Sequence, residues 1–397
     1  MNGKICFVVQ RYGLEVNGGA ELLCRQYAER LSAFYDLEVL TTKAVDYKSW
    51  RNEYKADCEI LNGIVVRRFD TAKERSSIFT KIHEDFLAGK MKSEAEQEWL
   101  EAQGPYCPSL IQYLRKHQEE YKVIIFFTYL YYTTVAGINS IYQKSIVIPF
   151  AHDEPPIKMH IFDSVFKNPN GIVYSTQEEQ NFIQNKYHNG DIPWTFGGSG
   201  VDLPESLDGG RFRSKHGLSD YIVYVGRIEE AKGSTELFKY FHEYKKRNAG
   251  NLKLVLMGKP LVPVPVTSDI ISLGFVSDED KFDGIAGARA LVLPSKFESL
   301  SIVVLEAMAV GTPVIVNGAC GVLKGHCLKS NGAFYYTNYF DFEGEVAFLL
   351  NSKNNETVSQ MIANAKSYVN ENYQWNAIVS RLRNLIEEVA SKKGDEL

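Results

Sequence analysis

Tyr221-Ile-Val-Tyr-Val-Gly-Arg-Ile-Glu-Glu-Ala-Lys-Gly233 opens on five apolar or aromatic residues and breaks at Gly226. A run without polar alternation marks a strand buried on both faces. A helical pattern over residues 235–247 follows, so the stretch reads as strand, loop, helix. The unit then recurs downstream. Strands are expected over 252–257, 270–273, 290–293 and 313–316, with helices from 277–284 and over 301–310, and a helical tail over 376–390. Such alternation predicts a parallel sheet covered by helices on both sides.

The same grammar holds upstream. Strands are expected over 4–10, 37–42, 63–69, 121–129, 145–150 and 171–175. Helices are expected over 19–33, 133–143 and 176–187. Residues 73–103 are charged and helix-friendly, and Pro105 and Pro108 are read as ending them. Residues 197–210, with Gly-Gly-Ser-Gly-Val-Asp-Leu-Pro and then Asp-Gly-Gly, offer few side chains to a core and read as a hinge. The fold class is therefore α/β, two doubly wound Rossmann-like domains facing each other across a hinge and cleft. The expected divisions are 1–197, a linker at 198–210, 211–375, and a C-terminal helix at 376–397 packing back on the first domain. Ligands of such sheets sit at the carboxyl ends of the strands.

Composition narrows the function. The 397 residues are 45% hydrophobic and 23% charged, ample for large cores. Lys plus Arg is 44 against 49 Asp plus Glu, a formal charge of −5 that argues against nucleic-acid binding. No stretch approaches 18 consecutive apolar residues. Residues 1–10 read as a strand and not as a signal peptide. Six cysteines lack CxxC spacing; Cys320 and Cys327, with His326 between them, match no zinc pattern. They are read as reduced thiols of a cytoplasmic protein, which leaves the Asn355 sequon idle.

Four loops carry the chemistry. Gly13 and Gly18 have P-loop spacing, but Gly19 and Ala20 stand where Lys-Ser/Thr is required. Gly18 and Gly19 at a helix start either meet an anion through free N–H groups or simply make a tight turn. In the second loop Arg227 and Lys232 follow Gly226 at a strand's carboxyl end, where two cations suit a diphosphate; the plainer reading is local pairing with Glu229 and Glu230. In the third, Glu298 lies in a loop and Glu306 in an otherwise apolar helix, where a carboxylate must be paired or used. Ribose hydroxyls would suit Glu306, and the N–H groups of Leu300, Ser301 and Ile302 an anion. A structural pair with a buried cation is the alternative for Glu306. In the fourth, His152 lies beside Asp153 and Glu154 after a buried strand, catalytic or structural; one loop with one histidine and two acids is a poor metal site.

Arg227, Lys232, the pair Glu298 and Glu306 eight positions apart, and Glu306-Ala-Met-Ala-Val-Gly-Thr-Pro-Val-Ile315 resemble the retaining glycosyltransferases of family four, glycosyl transferases group 1 with the GT-B fold. The Gly18-Gly19-Ala20-Glu21 loop and the Gly200-Val201-Asp202 linker fit the same pattern. The resemblance covers nearly the whole chain. It implies a nucleotide-diphosphate sugar donor in the C-terminal domain, a UDP-sugar first and a GDP-sugar next. Arg227 and Lys232 would neutralise the leaving diphosphate in place of a divalent metal, so no metal or cofactor is expected. Amides of Gly19 and of Leu300 and Ser301 would add donors, with Gly226, Ser299 and Ile302 lining the donor site. Glu306 would accept the ribose hydroxyls and Glu298 those of the sugar. His152 would approach the reacting centre, and the backbone at Phe275 and Val276 would read the base. No nucleophile is assigned.

Two departures stand out. Ser299-Leu300-Ser301 replaces a common Gly-Phe-Gly, so serine side chains narrow the space around the sugar. Lys259 replaces a common acidic residue and is either near the nucleotide or merely exposed. The acceptor implied is a glycan or lipid-linked glycan in bacterial surface polysaccharide or glycolipid assembly. Residues 73–92 alternate charge with Ile78, Phe79, Ile82, Phe86 and Leu87. They read as a solvated helix or as a peripheral membrane contact of the N-terminal domain on the inner face of the membrane; insertion is not suggested. The rival readings are a nucleotide-sugar 2-epimerase on the same fold and a non-catalytic nucleotide-sugar-binding subunit.

Overall fold

The computed structural model describes residues 3–16, 18–75, 77–141 and 144–391. Residues 1, 2 and 17, the last two residues of the helix expected over 133–143, and the end of the C-terminal tail lie outside them. The chain divides into two units, Met1–Gly198 with Asn376–Leu397, and Ser199–Trp375.

The first unit is built on β1 (Lys4–Val8), β2 (Asp36–Thr42), β3 (Cys58–Leu61), β4 (Ile64–Phe69), β5 (Val123–Phe127), β6 (Ser145–Ile148), β7 (Gly171–Tyr174) and β8 (Trp194–Phe196). Their order is β3-β4-β2-β1-β5-β6-β7-β8. Ile5 pairs in parallel with Leu37 on one side and Val123 on the other. Ile5, Phe7, Val8, Ile124 and Phe126 are wholly buried, as expected of central strands covered on both faces. Only β3 runs antiparallel, joined to β4 by Asn62-Gly63, both at positive φ in the manner of a two-residue hairpin turn.

Pro108 does not end a helix here. It opens the helix Pro108–His117, where its missing N–H costs nothing, and Leu110, Ile111 and Leu114 pack inward. The helix-friendly stretch over 73–103 holds two helices, Ser77–Leu87 and Glu96–Gln103, with a short 3-10 turn before the second. The last helix, Trp375–Ser391, returns to this unit from Asn376 onward: Lys122 Nζ lies 2.5 Å from Glu387, Tyr35 donates to Glu387 at 2.8 Å, and Arg381 donates to the Phe196 carbonyl at 2.8 Å.

The second unit holds β9 (Tyr221–Val225), β10 (Lys253–Met257), β11 (Ile270–Gly274), β12 (Ala290–Leu293), β13 (Val314–Asn317) and β14 (Phe334–Tyr336), in the order β11-β10-β9-β12-β13-β14 and all parallel. Gly209 and Gly210 are not linker. They begin the helix Gly209–His216, capped by Asp208, because Gly209 packs directly on the backbone of Gly287 where no Cβ fits. The order in which the chain lays down strands reverses between β9 and β12, and that switch point is where ligands of such sheets bind.

Candidate functional site

The loop after β9 is set by two glycines. Gly226 (φ 147) donates to the Met257 carbonyl at 2.9 Å, and Gly258 (φ 149) lies so close to the Gly226 carbonyl that a Cβ there would strike it. Arg227 follows, its carbonyl accepting from Tyr224 Oη at 2.6 Å and its guanidinium 3.1 Å from Glu229. The turn Glu230–Lys232 ends at Gly233 (φ 74), where a Cβ would strike the Pro294 carbonyl. That close approach brings the loop after β9 against the loop after β12. Lys232 Nζ lies 2.7 Å from Glu298 Oε1, with both side chains mostly buried. The two residues that the sequence proposes separately thus form one ion pair spanning the switch point. Asn317, which the sequence did not single out, ties the same corner by donating to the Pro294 carbonyl and to Glu236, each at 3.1 Å.

The loop runs through Ser299 and the buried Leu300 to Ser301, which adopts φ 64 before the helix Ile302–Val310. A non-glycine residue at that φ is uncommon and strained. Ser301 makes no capping bond, and the buried hydroxyls of Ser295 and Ser301 have no hydrogen-bond partner among the described residues. Leu300 is fixed from behind by His326, whose Nε2 lies 2.8 Å from its carbonyl and whose Nδ1 lies 2.9 Å from Tyr368 Oη. This helix N-terminus therefore presents N–H groups and two buried hydroxyls without a protein acceptor, an arrangement suited to an anion.

Glu306, one turn into that helix, is met by Lys281 at 2.9 Å, and Lys281 also lies 3.4 Å from Asp278. Burial raises the Glu306 pKa, and Lys281 opposes that rise. The buried cation anticipated as the structural alternative is thus present, and it meets Oε1 of the carboxylate. Phe275 is exposed and Val276 half-buried just beyond β11, after Gly274 (φ 68), whose carbonyl accepts from Gly258. Lys259 is exposed, with its carbonyl accepting from Ile228 at 3.0 Å.

His152, Gly18 and Gly19 belong to the first unit. Gly18 precedes the helix Gly19–Leu31 with extended backbone, and a Cβ on it would strike the Glu21 carboxylate; at Gly19 a Cβ meets nothing. Glu21 accepts from Arg11 Nε at 3.0 Å and Gln10 at 3.0 Å, and Arg11 Nη2 is 2.5 Å away. The first turn thus already holds one carboxylate, compensated by arginine. His152 follows Phe150, at φ 50, next to Thr128 at φ 67 on the adjacent strand end. Its Nε2 is 3.4 Å from Glu154, which also accepts from Tyr129 Oη at 2.6 Å. Burial pushes the Glu154 pKa up, but the bonds from His152 and Tyr129 outweigh it and the value is lowered. Glu179, absent from the sequence reading, accepts from the N–H of Ala151 at 2.5 Å and of Ser175 at 2.6 Å, and burial raises it to about 7. It holds the backbone that carries His152. Among the described residues no group of three or more His, Cys, Asp or Glu is placed to hold a metal ion, and no helix is long and apolar enough to cross a membrane.

Residues 211–368 match the family model described as glycosyl transferases group 1. An uncharacterised glycosyltransferase of Methanocaldococcus jannaschii is 27% identical over 227 residues, 54% of this chain and 55% of that one. The chain spans about half the length of the curated relatives it matches. Among solved structures, sucrose-phosphate synthase from Thermosynechococcus elongatus aligns over 98% of this chain and 99% of its own, with TM-score 0.70 and 15% identity. Anabaena HepE in complex with UDP-glucose aligns over 98% and 99%, with TM-score 0.70 and 15% identity. Residues 211–368, which hold Arg227, Lys232, Glu298 and Glu306, are thus similar to the glycosyl transferases group 1, and the fold of the chain is GT-B.

Proposed function

We propose that the chain is a retaining glycosyltransferase that moves a sugar from a nucleotide diphosphate, UDP before GDP, to a glycan or lipid-linked glycan acceptor in surface polysaccharide or glycolipid assembly. The observation that carries this is the Lys232–Glu298 pair across the β9/β12 switch point, beside a helix N-terminus with orphaned buried hydroxyls. The Anabaena protein of the same fold was solved with UDP-glucose, which favours a UDP donor.

The chemistry follows from these positions. As the bond from the sugar's anomeric carbon to the phosphate oxygen breaks, negative charge grows on the diphosphate. Arg227, Lys232 and the N–H groups at residues 300–302 stabilise that charge, replacing a divalent metal. Lys232 then exchanges its carboxylate partner for phosphate, which frees Glu298 to accept sugar hydroxyls. Glu306 accepts ribose hydroxyls, the backbone at Phe275 and Val276 meets the base, and His152 approaches the sugar. Ser299 and Ser301 narrow the sugar site. The acceptor hydroxyl enters on the face the diphosphate leaves and passes its proton to the departing phosphate oxygen as its own oxygen bonds the anomeric carbon, so configuration is retained without a covalent intermediate.

Incubation with a panel of nucleotide sugars, following release of free diphosphate, tests the reading. Slow donor hydrolysis by the wild-type chain that falls at least about tenfold in Lys232→Ala is expected. Tight binding with no release from any donor would make the chain a binding subunit instead.

A further inference from the structure

The first unit carries an arginine that its own acids do not compensate. Arg75 follows β4 at the carboxyl end of the sheet, and its N–H donates to the Ser49 carbonyl at 2.8 Å. Nε and Nη2 donate to the Gln103 carbonyl at 3.2 and 2.7 Å, and Nη2 also reaches Gln103 Oε1 at 2.9 Å. The guanidinium lies 5.3 Å from the Trp50 ring and 4.6 Å from that of Phe79. No carboxylate comes within ion-pair distance of it among the described residues, and Nη1 makes no hydrogen bond there.

Neighbouring cations differ. Arg11 is matched by Glu21, Lys43 by Asp57 and Asp70, Arg68 by Glu59, and Lys73 by Glu101. The charged and titratable groups that act on Arg75 include Tyr131, Tyr47 and Asp46, which favour its charge, and Arg11, which opposes it; His83, stacked on Phe79, also feels the Arg75 charge. A partly buried guanidinium without a carboxylate carries a desolvation cost that an acceptor from elsewhere would offset.

The backbone beneath it is strained to hold this arrangement. Trp50 is 1% exposed yet adopts φ 56, a true outlier for a bulky residue. Its indole donates to the same Gln103 carbonyl at 2.6 Å, and it packs on Gly104 (φ 72), where a Cβ would come within 2.9 Å of the ring. Tyr131 stands edge-on to Trp50 at 5.5 Å and, like Arg75, is only partly buried, so the place is reachable.

We infer that Arg75 is the binding residue for an oxyanion, phosphate or carboxylate, carried by the sugar acceptor of this chain. A planar fork whose Nη1 makes no hydrogen bond among the described residues suits such a group, and a lysine would not reproduce it. That the ligand is the acceptor rests on the glycosyltransferase reading; that Arg75 binds an oxyanion does not.

The test is calorimetric titration of the full chain with glucose 6-phosphate, glucuronic acid, glucose and inorganic phosphate, and separately with UDP. The wild-type chain is expected to bind one of the two anionic sugars at least about tenfold tighter than glucose. Arg75→Gln abolishes that preference and Arg75→Lys retains part of it, which keeps the test open should the glutamine variant fail to fold. Lys232→Ala leaves the preference intact and weakens UDP. No preference in the wild-type chain, its persistence in Arg75→Gln, or its loss in Lys232→Ala would each overturn the inference. Inorganic phosphate binding as tightly as the sugar phosphate would overturn the sugar assignment. An Arg75-dependent preference without any UDP affinity would sink the donor reading and leave the oxyanion site standing.

Discussion

Lys281→Met isolates the electrostatics of Glu306. The two groups are 2.9 Å apart, with 20% and 14% of their side chains exposed. Removing one partner of a fully buried pair costs about 3–5 kcal/mol, and the residual water contact here lowers that to roughly 2–4 kcal/mol while Glu306 stays charged. Glu306 has an escape, which is to take up a proton. Its pKa in the folded chain is already raised above the ordinary 4.5 by burial, with Lys281 pulling it back. Without Lys281 it rises further. A carboxyl whose folded pKa exceeds its unfolded value contributes stability fully below the unfolded pKa, and that contribution is lost as pH rises through the folded pKa. Each additional unit is worth about 1.4 kcal/mol. Urea unfolding at pH 5 and pH 8 should therefore show a small loss for Lys281→Met at pH 5 and a much larger one at pH 8. The double variant with Glu306→Gln should recover most of the loss at pH 8. Equal losses at both pH values, or strict additivity in the double variant, would refute this account of the pair.

Glu306→Gln alone should weaken nucleoside-diphosphate affinity about tenfold in calorimetry, since an amide offers one acceptor where the carboxylate offers two; unchanged affinity would remove it from the ribose. Glu179 and Glu345 are raised by burial to about 7 and about 8, so the stability these two carboxyls contribute should decline as pH rises from near 4.5 to 8. Glu179→Gln and Glu345→Gln should each flatten that decline in pH-resolved thermal melts. Donor turnover should survive a metal chelator, measured as diphosphate release, because Arg227 and Lys232 carry the charge in the proposed mechanism.

The central strands were legible because strands buried on both faces must be apolar throughout, as in Tyr221–Val225 and Val123–Phe127. The edge strands Cys58–Leu61 and Trp194–Phe196 were not: three or four residues long and partly exposed, they carry no such run. Pro108 and Gly209 mislead because one reads as a helix end and the other as hinge, although proline is tolerated in a helix's first turn and glycine is required where backbones touch. At the candidate site, Lys232, Glu298 and Glu306 stand out by residue type and spacing. Their partners do not. Lys281 meets Glu306 from another helix, Glu179 reaches Ala151 across 28 positions, and His326 reaches Leu300 across 26. Pairings between elements leave no periodic trace along a chain.

The most direct test of the donor site is thermal stabilisation of the full chain by UDP, GDP, ADP and dTDP, with NAD as a control. Ligand at 100 times its dissociation constant adds about 2.7 kcal/mol. The account predicts a clear shift with one diphosphate, UDP first, that shrinks in Glu306→Gln and Lys232→Ala. No shift with any diphosphate, or a shift indifferent to both substitutions, would contradict a nucleotide site at the β9/β12 switch point.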